Sequence, residues 1–439
     1  MISVKSIKKG ISVILIALLI FSFTSCSDRK PEETTADTTT EAQTTADPAP
    51  ENSLLLFDGE SFLYKMIRPE KTSDVTLRAF TSLRNALSTL AGGTSVKLSD
   101  DFIKNESEIG EREIAIGRTN RPITASLTSG MGAMASYEIS VSDRGIAICG
   151  TSDSQTEQGV RYFIDTYLKE NIVKVGDKMY IRCGSYSSEK TIPSFGQYLS
   201  YCKENGKEMS FTSEEYMQVP PINDHNIMQG GCIDADGKYA YFLFQKNNVS
   251  SIAKYDFAKK ELVSTNYKIG TDHSNDACFN PKLNAVVVVH NAPNYKLISM
   301  FDADTLERKG APIHFTENIY SIAYNEATDR YIVGISGDYN FAVLDSDFNI
   351  VSRFTGAKTG YTRQGVNADS EYIYFVQSTG TTQYIVVYKW DGTHVGTLPL
   401  NGIKYEVEHA FHIGTQLYIS CYRGGGKGGV TYKINLNIE

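Results

Sequence analysis

The sequence predicts an α/β sandwich accessory domain followed by an all-β five-bladed propeller. The chain has 439 residues, enough for two or three domains. It contains 27 Tyr and 20 Phe, and aromatic and β-branched residues favour strands. Between His225 and Glu439 one short pattern occurs five times at a spacing of roughly 43 to 46 residues, which is typical of a four-stranded propeller blade.

Residues 1–26 have the features of an export signal. Three lysines within the first nine residues precede an apolar run, Ile11–Phe23, of about 13 residues, which is shorter than the roughly 20 that span a bilayer. The run ends in Phe-Thr-Ser-Cys26, which resembles the lipobox of bacterial lipoproteins with Phe where Leu is usual. The resemblance implies that Cys26 is diacylated and anchors the protein to the cell membrane, facing the extracytoplasmic side. The alternative is a plain secretory signal with an incidental cysteine.

Residues 27–53 are rich in Thr, Glu, Asp and Pro and lack apolar periodicity. Such a segment cannot bury enough apolar surface to fold, so we expect a disordered tether. Besides Cys26 the chain has six cysteines, and no two of them form a C-x-x-C pair. We expect buried thiols, and the sequence leaves one disulfide open.

The segment 54–187 alternates strand and helix signals. Apolar residues at helical spacing predict a helix over Asp74–Leu90, ended by two glycines, and a second helix over Ser154–Lys169. The predicted strands are Ser61–Ile67, Glu113–Ile116, Tyr137–Val141 and Gly145–Cys149. Two helices on one face of this sheet form the predicted α/β sandwich.

The runs EIAIGRTNRP from Glu113 and YEISVSDRGIAICG from Tyr137, continuing to Leu168, resemble the accessory α/β domain that precedes the catalytic barrel of several glycoside hydrolase families. The resemblance implies a structural domain of a glycan-handling surface protein and assigns no catalytic residue here, because no barrel follows. The first run contains a polar cluster of Arg118, Asn120 and Arg121. We expect this cluster to form salt bridges within a loop rather than to contact a ligand.

Residues 188–221 are predicted to connect the two units, with strand content at Glu208–Thr212 and Tyr216–Val219. The fifth repeat has only three strands before the chain ends. A connector strand that completes this blade would cover its open edge. Residues 222–439 then form the five-bladed propeller.

The first strand of each blade lines the axis of a propeller, so equivalent positions in the five copies meet there. We align the copies on Asp234, Asn280, Asn325, Asn367 and His412. This register places Gly230, Asp276, Ser321, Arg363 and Glu408 in one axial layer. A slip of one residue in blades three and five would expose the neighbouring layer instead.

Polar and charged residues therefore converge on the predicted axis. Carboxylate, amide and guanidinium groups bind hydroxyls, and the nearby tyrosines suit a sugar ring. The expected ligand contacts are Gln229, His273, Asp276, Arg363, Gln364 and Glu408. The alternative is that Asp276, Arg363 and Glu408 neutralise one another and only join the blades.

Three other chemistries have weaker support. Asp276 and Glu408 are the candidates for a carboxylate pair in a glycosidase. His273, Asp276, His290 and His409 lack metal-ligand spacing within one element, so we expect no metal. No phosphate loop or dinucleotide motif occurs, so we expect no cofactor. The net charge of -8 argues against a nucleic-acid partner.

The segments MQGG, HSNDACFNPKLN, YSIAYN, RQGVNADSEYIYF and YEVEHAF, between Asn226 and Phe411, are similar to the propeller of helveticin-J-like and related surface proteins of Gram-positive bacteria. The resemblance implies five blades and leaves the biochemical role open. The sequence therefore favours a lipid-anchored protein that binds a glycan or cell-wall polymer at its axial pocket, rather than an enzyme. The alternatives are a glycoside hydrolase or lyase and a protein-interaction scaffold.

Overall fold

The computed structural model describes residues 48–105, 109–110, 112–336 and 339–438. The predicted signal peptide, Cys26 and the tether up to residue 47 lie outside the described residues. Within the described ranges no helix is long and apolar enough to cross a membrane.

The first folded unit is built on a mixed six-stranded sheet. In sheet order its strands are β3 (Lys97–Asp100), β2 (Lys65–Arg68), β4 (Glu113–Ile116), β6 (Gly145–Gly150), β5 (Tyr137–Ser142) and β9 (Gly184–Ser187). The first four are parallel, whereas β5 and β9 run antiparallel to their neighbours. A second sheet, which sequence analysis missed, consists of β1 (Ser53–Phe57), β8 (Lys178–Arg182) and β7 (Ile172–Val175).

Two long helical segments pack together on the six-stranded sheet. Helix α1 (Asp74–Leu90) has the predicted bounds and buries Phe80, Leu83 and Leu87, as its apolar spacing requires. The second segment comprises α3 (Asp153–Tyr162), a π-helical turn (Phe163–Tyr167) and α4 (Leu168–Asn171). The short helix α2 (Pro122–Thr128) begins with proline, whose missing N–H is not needed there.

The connector begins with a helix that sequence analysis did not predict. Helix α5 (Phe195–Glu204) starts at a capping box of Ser194 and Gln197, in which each side chain accepts a hydrogen bond from the backbone N–H of the other residue. A single strand, β10 (Phe211–Val219), follows in place of the two predicted short ones. The apolar face of α5 packs on the fourth blade, where Tyr374 contacts Phe195.

The second half of the chain forms five four-stranded antiparallel sheets. The first is β11 (Ile227–Ile233), β12 (Tyr239–Lys246), β13 (Val249–Asp256) and β14 (Glu261–Asn266). The second is β15 (Asp276–Asn280), β16 (Ala285–Val289), β17 (Leu297–Asp302) and β18 (Ile313–His314). The third is β19 (Ile319–Asn325), β20 (Arg330–Ile335), β21 (Asn340–Leu344) and β22 (Ile350–Thr355). The fourth is β23 (Thr362–Ala368), β24 (Tyr372–Ser378), β25 (Gln383–Lys389) and β26 (His394–Pro399).

The fifth sheet joins the two ends of the propeller. It contains β27 (Glu406–Ile413), β28 (Gln416–Tyr422), β29 (Gly429–Leu436) and the connector strand β10, which pairs with β29 from Phe211↔Leu436 to Val219↔Gly429. The inner strands β11, β15, β19, β23 and β27 each contact the next, and β11 also contacts β27. The ring of five blades is therefore closed, and the propeller prediction is confirmed.

Stacking of the blades explains the apolar pattern of the sequence. All five residues of β16 are buried, because neighbouring blades cover both faces of the sheet. The sequence of a strand that is covered on both faces is a continuous apolar run rather than an alternation of apolar and polar residues. The outer strand β14, in contrast, leaves Leu262 and Val263 about half exposed.

The α/β unit docks beside the axis, on the turns of blades three and four. The carboxylate of Glu371 accepts hydrogen bonds from the backbone N–H of Asp153 (3.0 Å) and from Nε2 of Gln197 (2.8 Å). Arg330 and Asp74 form a salt bridge of 3.4 Å at the same face. Burial, with the charge of Asp153 adding to it, raises the pKa of Glu371 to about 7.

Candidate functional site

The side chain of Asp276 closes the propeller axis. Its Oδ2 accepts hydrogen bonds from the backbone N–H of Ile322 in blade three (3.1 Å) and of Val366 in blade four (3.0 Å). Its Oδ1 lies 2.6 Å from Nδ1 of His409 in blade five, as an ion pair without good hydrogen-bond alignment. Asp276 is fully buried, and burial raises its pKa while His409 opposes the shift. One carboxylate thus links four blades.

These contacts correct the predicted register of the inner strands. The residues at the level of Asp276 are Gly230, Ser321, Gly365 and His409, because Asp276 bonds the residues just beyond Ser321 and Gly365 and pairs with His409. The prediction that Arg363 and Glu408 share this layer is therefore wrong. The predicted register differs from the observed one by two residues in blade four and by one residue in blade five.

Two glycines allow the inner strands to approach this closely. A Cβ atom on Gly230 would lie 2.5 Å from Cα of Asp276, and one on Gly365 would lie 2.5 Å from the carbonyl oxygen of Glu408. Real Cβ atoms do not approach so closely, so only glycine fits without displacement of a neighbouring backbone. The waist of the propeller is therefore backbone packed against backbone around one carboxylate.

β-Bulges explain why the sequence register slipped. Extra residues interrupt the pairing of the inner strand in four blades, at Gln229–Gly230, Tyr320, Gln364–Gly365 and Glu408. A bulge opposes two residues to one and re-aims the side chains on either side of it. Counting along the copies cannot locate such an insertion, because the number of residues in each copy also depends on its turns.

The remaining predicted ligand residues lie on the side of the waist where the inner strands begin, which we call the entry side. Gln364 is 9% exposed and donates from Nε2 to Oε1 of Glu406 at 3.0 Å. The guanidinium of Arg363 lies over the ring of Tyr320, 4.1 Å from its centroid. The side chain that faces Oδ1 of Asp276 is the imidazole of His409 rather than the guanidinium of Arg363, and the predicted pairing of Asp276 with Arg363 is wrong.

Three further predicted residues lie on this side of the waist. Gln229 is 7% exposed and donates from Nε2 to the carbonyl of Met228 at 3.3 Å. His273 is half-buried, and burial lowers its pKa. Glu408 is 6% exposed, and burial first and the charge of Glu406 second raise its pKa well above the usual range.

The axis is open at the opposite end, where the inner strands finish. A funnel of about 570 Å³ lies there, with His409 among its lining residues. Because Nδ1 of His409 faces Asp276, Nε2 is the ring nitrogen available to a ligand. Apolar surface on the funnel wall comes from Phe279, Tyr324 and Phe411.

The residues used to align the copies form a polar ring around this funnel. Asp234, Asn325, Asn367 and His412 all line it, and Asn280 occupies the fifth equivalent position. Nδ2 of Asn367 and Nδ1 of His412 lie 2.8 Å apart. Sequence analysis treated these residues only as register markers. Their shared polarity at the ends of five inner strands was the signal that could have identified them as site residues.

Asn325 is the member of the ring whose amide lacks a partner. It is 2% exposed, and neither Oδ1 nor Nδ2 has a hydrogen-bond partner within the described part of the chain. The equivalent Asn280, in contrast, donates to the hydroxyl of Tyr331 (2.6 Å) and accepts from the backbone of Leu283 (3.2 Å). A buried amide is normally satisfied, so Asn325 marks a place where a polar group of a ligand or water fits.

A cleft continues from the funnel towards the α/β unit. It has a volume of about 300 Å³ and shares Asn325 and Ser370 with the funnel wall. Trp390, the single Trp of the chain, lines this cleft and donates from Nε1 to the carbonyl of Asp369 at 2.9 Å. The funnel and the cleft adjoin at Asn325 and Ser370, and Trp390 is an aromatic side chain on the cleft wall.

The described residues contain no group of three or more His, Cys, Asp or Glu arranged to hold a metal ion. The six cysteines in the described ranges are free thiols. Two of them, Cys232 and Cys278, line the funnel and are buried, and burial raises the pKa of both well above the usual range.

No protein-family model matches the chain, and no curated protein matches it. Its structure is similar to that of the calcium-binding protein regucalcin from Agrobacterium tumefaciens, with a TM-score of 0.37 and 11% identity over 52% of this chain and 94% of that chain. A luciferin-regenerating enzyme gives a TM-score of 0.36 and 11% identity over 52% of this chain and 97% of that chain. At these scores the fold assignment rests on the sheet topology itself.

Proposed function

We propose that the protein is a surface lipoprotein whose propeller binds a glycan in the axial funnel. The observation that supports this most is the polar ring at the ends of the inner strands, with the unpartnered amide of Asn325 in it. An amide offers one donor face and one acceptor face, which is the complement of a sugar hydroxyl. The funnel volume of about 570 Å³ falls in the range of small-molecule sites.

The presence of two adjoining cavities favours a chain of sugars over a single one. The funnel accepts one terminal unit, and the adjoining cleft carries Trp390, whose indole suits the apolar face of a second ring. This proposal moves the site from the entry side of the waist, where Gln364 and Glu408 lie, to the exit side. Of the six residues predicted to contact ligand, none lines the funnel.

Hydrolysis is less well supported than binding. A glycosidase needs two carboxyl groups that face an open cleft across about 5 to 9.5 Å. Both oxygens of Asp276 are engaged by blades three, four and five, and the side chain is fully buried. This arrangement favours a structural role for Asp276 and a binding role for the funnel.

Attachment to the membrane is part of the proposal. The lipobox-like Cys26 and the Thr-rich tether support an anchor that holds the folded units away from the surface. The resemblance of the first unit to glycoside-hydrolase accessory domains supports the ligand class, and the resemblance of the propeller to helveticin-J-like surface proteins supports the location.

The test is a glycan array probed with the purified lipidated chain in detergent, followed by titration of any hit. Asn325→Leu keeps the branched shape of the side chain and removes the amide, so we expect binding to fall at least about tenfold, as the loss of a buried hydrogen bond to a ligand implies. Gln364→Leu is the matched control on the entry side and should bind normally. Loss of binding in Gln364→Leu alone would contradict a site in the funnel and place the site on the entry side of the waist.

A further inference from the structure

The funnel is lined by acidic groups without a compensating basic residue. Asp234, Glu326 and Asp369 all line it, whereas none of the described lining residues is Lys or Arg. In a concave site with low-dielectric walls, charges of one sign reinforce each other and raise the local concentration of the opposite sign. The acidic lining therefore opposes anionic ligands and favours cationic ones.

The two imidazoles of the funnel do not offset this charge. Nδ1 of His412 lies 2.8 Å from the amide Nδ2 of Asn367, which can only donate, so Nδ1 accepts and the ring is neutral. Burial also lowers the pKa of His412. Nδ1 of His409 lies 2.6 Å from Oδ1 of Asp276, so this imidazole faces the buried carboxylate rather than the acidic groups of the funnel.

The carboxylates differ in what they offer to a ligand. Both oxygens of Asp369 are used within the protein, by the backbone N–H groups of Glu371 and Tyr372 and by the hydroxyl of Tyr374. Asp234 uses Oδ1 to accept from two backbone N–H groups, and no hydrogen bond from the described residues engages its Oδ2. Glu326 is exposed at the mouth. Asp369 thus supplies charge, whereas Asp234 and Glu326 supply charge and contact.

We propose that the glycan bound in the funnel carries a free amine, so that its ligand class is an amino sugar rather than a neutral or acidic one. This inference rests on the proposed function. The carboxylates of Asp234 and Glu326, both on the funnel wall, attract the protonated amine, and Asn325 offers its amide to hydroxyls of the glycan. Nε2 of His409 is the ring nitrogen at the floor of the funnel, since its Nδ1 faces Asp276. Hydrogen bonds between an ammonium group and carboxylates are about twice as strong as neutral ones.

The experiment measures affinities of four probes by calorimetry with the lipidated chain. The probes are a β-1,4-linked glucosamine trimer, its N-acetylated form, a galacturonic acid trimer and spermidine. We expect the glucosamine trimer to bind at least about tenfold more tightly than the N-acetylated trimer, which corresponds to one charge-assisted hydrogen bond. The advantage should shrink as NaCl rises from about 50 to about 500 mM, because salt screens charges at the mouth.

Variants locate the effect at the funnel. The double variant Asp234→Asn with Glu326→Gln keeps the side-chain shapes, and the amide introduced at position 234 retains an oxygen for the two backbone N–H groups. It should lose the preference for the amine and keep its unfolding temperature. Glu261→Gln, an exposed acid on the outer strand β14, is the matched control and should keep the preference.

The outcomes separate this inference from the proposed function. Equal or tighter binding of the N-acetylated or acidic trimer overturns the amine inference and leaves glycan binding intact. Binding of spermidine that depends on Asp234 and Glu326, with no binding of any trimer, overturns glycan binding and supports a cationic site. If no probe binds, both are overturned. A preference for the amine that survives the double variant also overturns the inference.

Discussion

Replacement of Asp276 by alanine should weaken the whole propeller rather than one binding contact. The change leaves the backbone N–H groups of Ile322 and Val366 without an acceptor in a fully buried place. Each buried unsatisfied group costs about 1 to 3 kcal/mol, and breaking a buried ion pair costs about 3 to 5 kcal/mol. Because these costs overlap at one site, we expect a loss of roughly 3 to 5 kcal/mol.

The assay is urea and thermal unfolding of the full chain, followed by circular dichroism. A loss of this size lowers the midpoint temperature by about 6 to 20 °C in a propeller of this length. Asp276→Asn keeps one oxygen as an acceptor and should lie between wild type and the alanine variant. Glu326→Ala, at the exposed mouth of the funnel, is the control and should change stability by less than about 0.5 kcal/mol.

A free energy of unfolding for Asp276→Ala within about 1 kcal/mol of wild type would contradict the structural role of Asp276. A variant that keeps its stability but loses binding of a ligand would contradict this role more clearly, because Asp276 would then be a contact residue as the sequence predicted. A large loss of stability in Glu326→Ala would show that the funnel rim, rather than the waist, holds the blades together.

Three other changes have defined outcomes. Gly365→Ala places a Cβ 2.5 Å from the carbonyl oxygen of Glu408 and should lower the free energy of unfolding by about 1 to 3 kcal/mol, as overpacking of a core does. Gly380→Ala is the control, because its Cβ meets no neighbour and the variant should lose only the free energy of its backbone strain. Because the pKa of Glu371 is raised to about 7 in the folded state, wild-type stability should fall as pH rises from about 4.5 through 7, and Glu371→Gln should flatten this slope in urea titrations at several pH values. Cys26→Ser should abolish incorporation of labelled palmitate and release the protein from the membrane fraction, and continued labelling would contradict the anchor.

Several elements were predictable because short-range physics determines them. The apolar residues of Asp74–Leu90 recur at helical spacing between a capping serine and two glycines, and the helix has these bounds. The inner strands of the propeller were recognisable because stacked blades require apolar strands with turns at regular intervals. Helix α5 was missed since its apolar residues face the fourth blade across a tertiary interface, and ten residues give a weak periodic signal.

The candidate site was harder to predict than the fold. Asp276 was identified as an axial residue, but its role differs from the expected one, because its partner His409 is 133 positions later and meets it only through blade closure. Asn325 and His412 were used to align the copies, and nothing local shows that the ends of the inner strands line a funnel. Arg363 and Glu408 were placed on the wrong layer because bulges shift the register without a change in composition.

By itself the sequence determined the number of blades, the order of the two units and the polar character of the axis, since each of these follows from spacing and residue type along the chain. Only the tertiary structure decided which residues share a layer, that Asp276 closes the waist, and that the funnel opens at the exit of the inner strands. The physical reason is that bulges and close contacts at glycine are set by neighbouring strands that are about 45 residues apart or more, where local propensity carries no information about register.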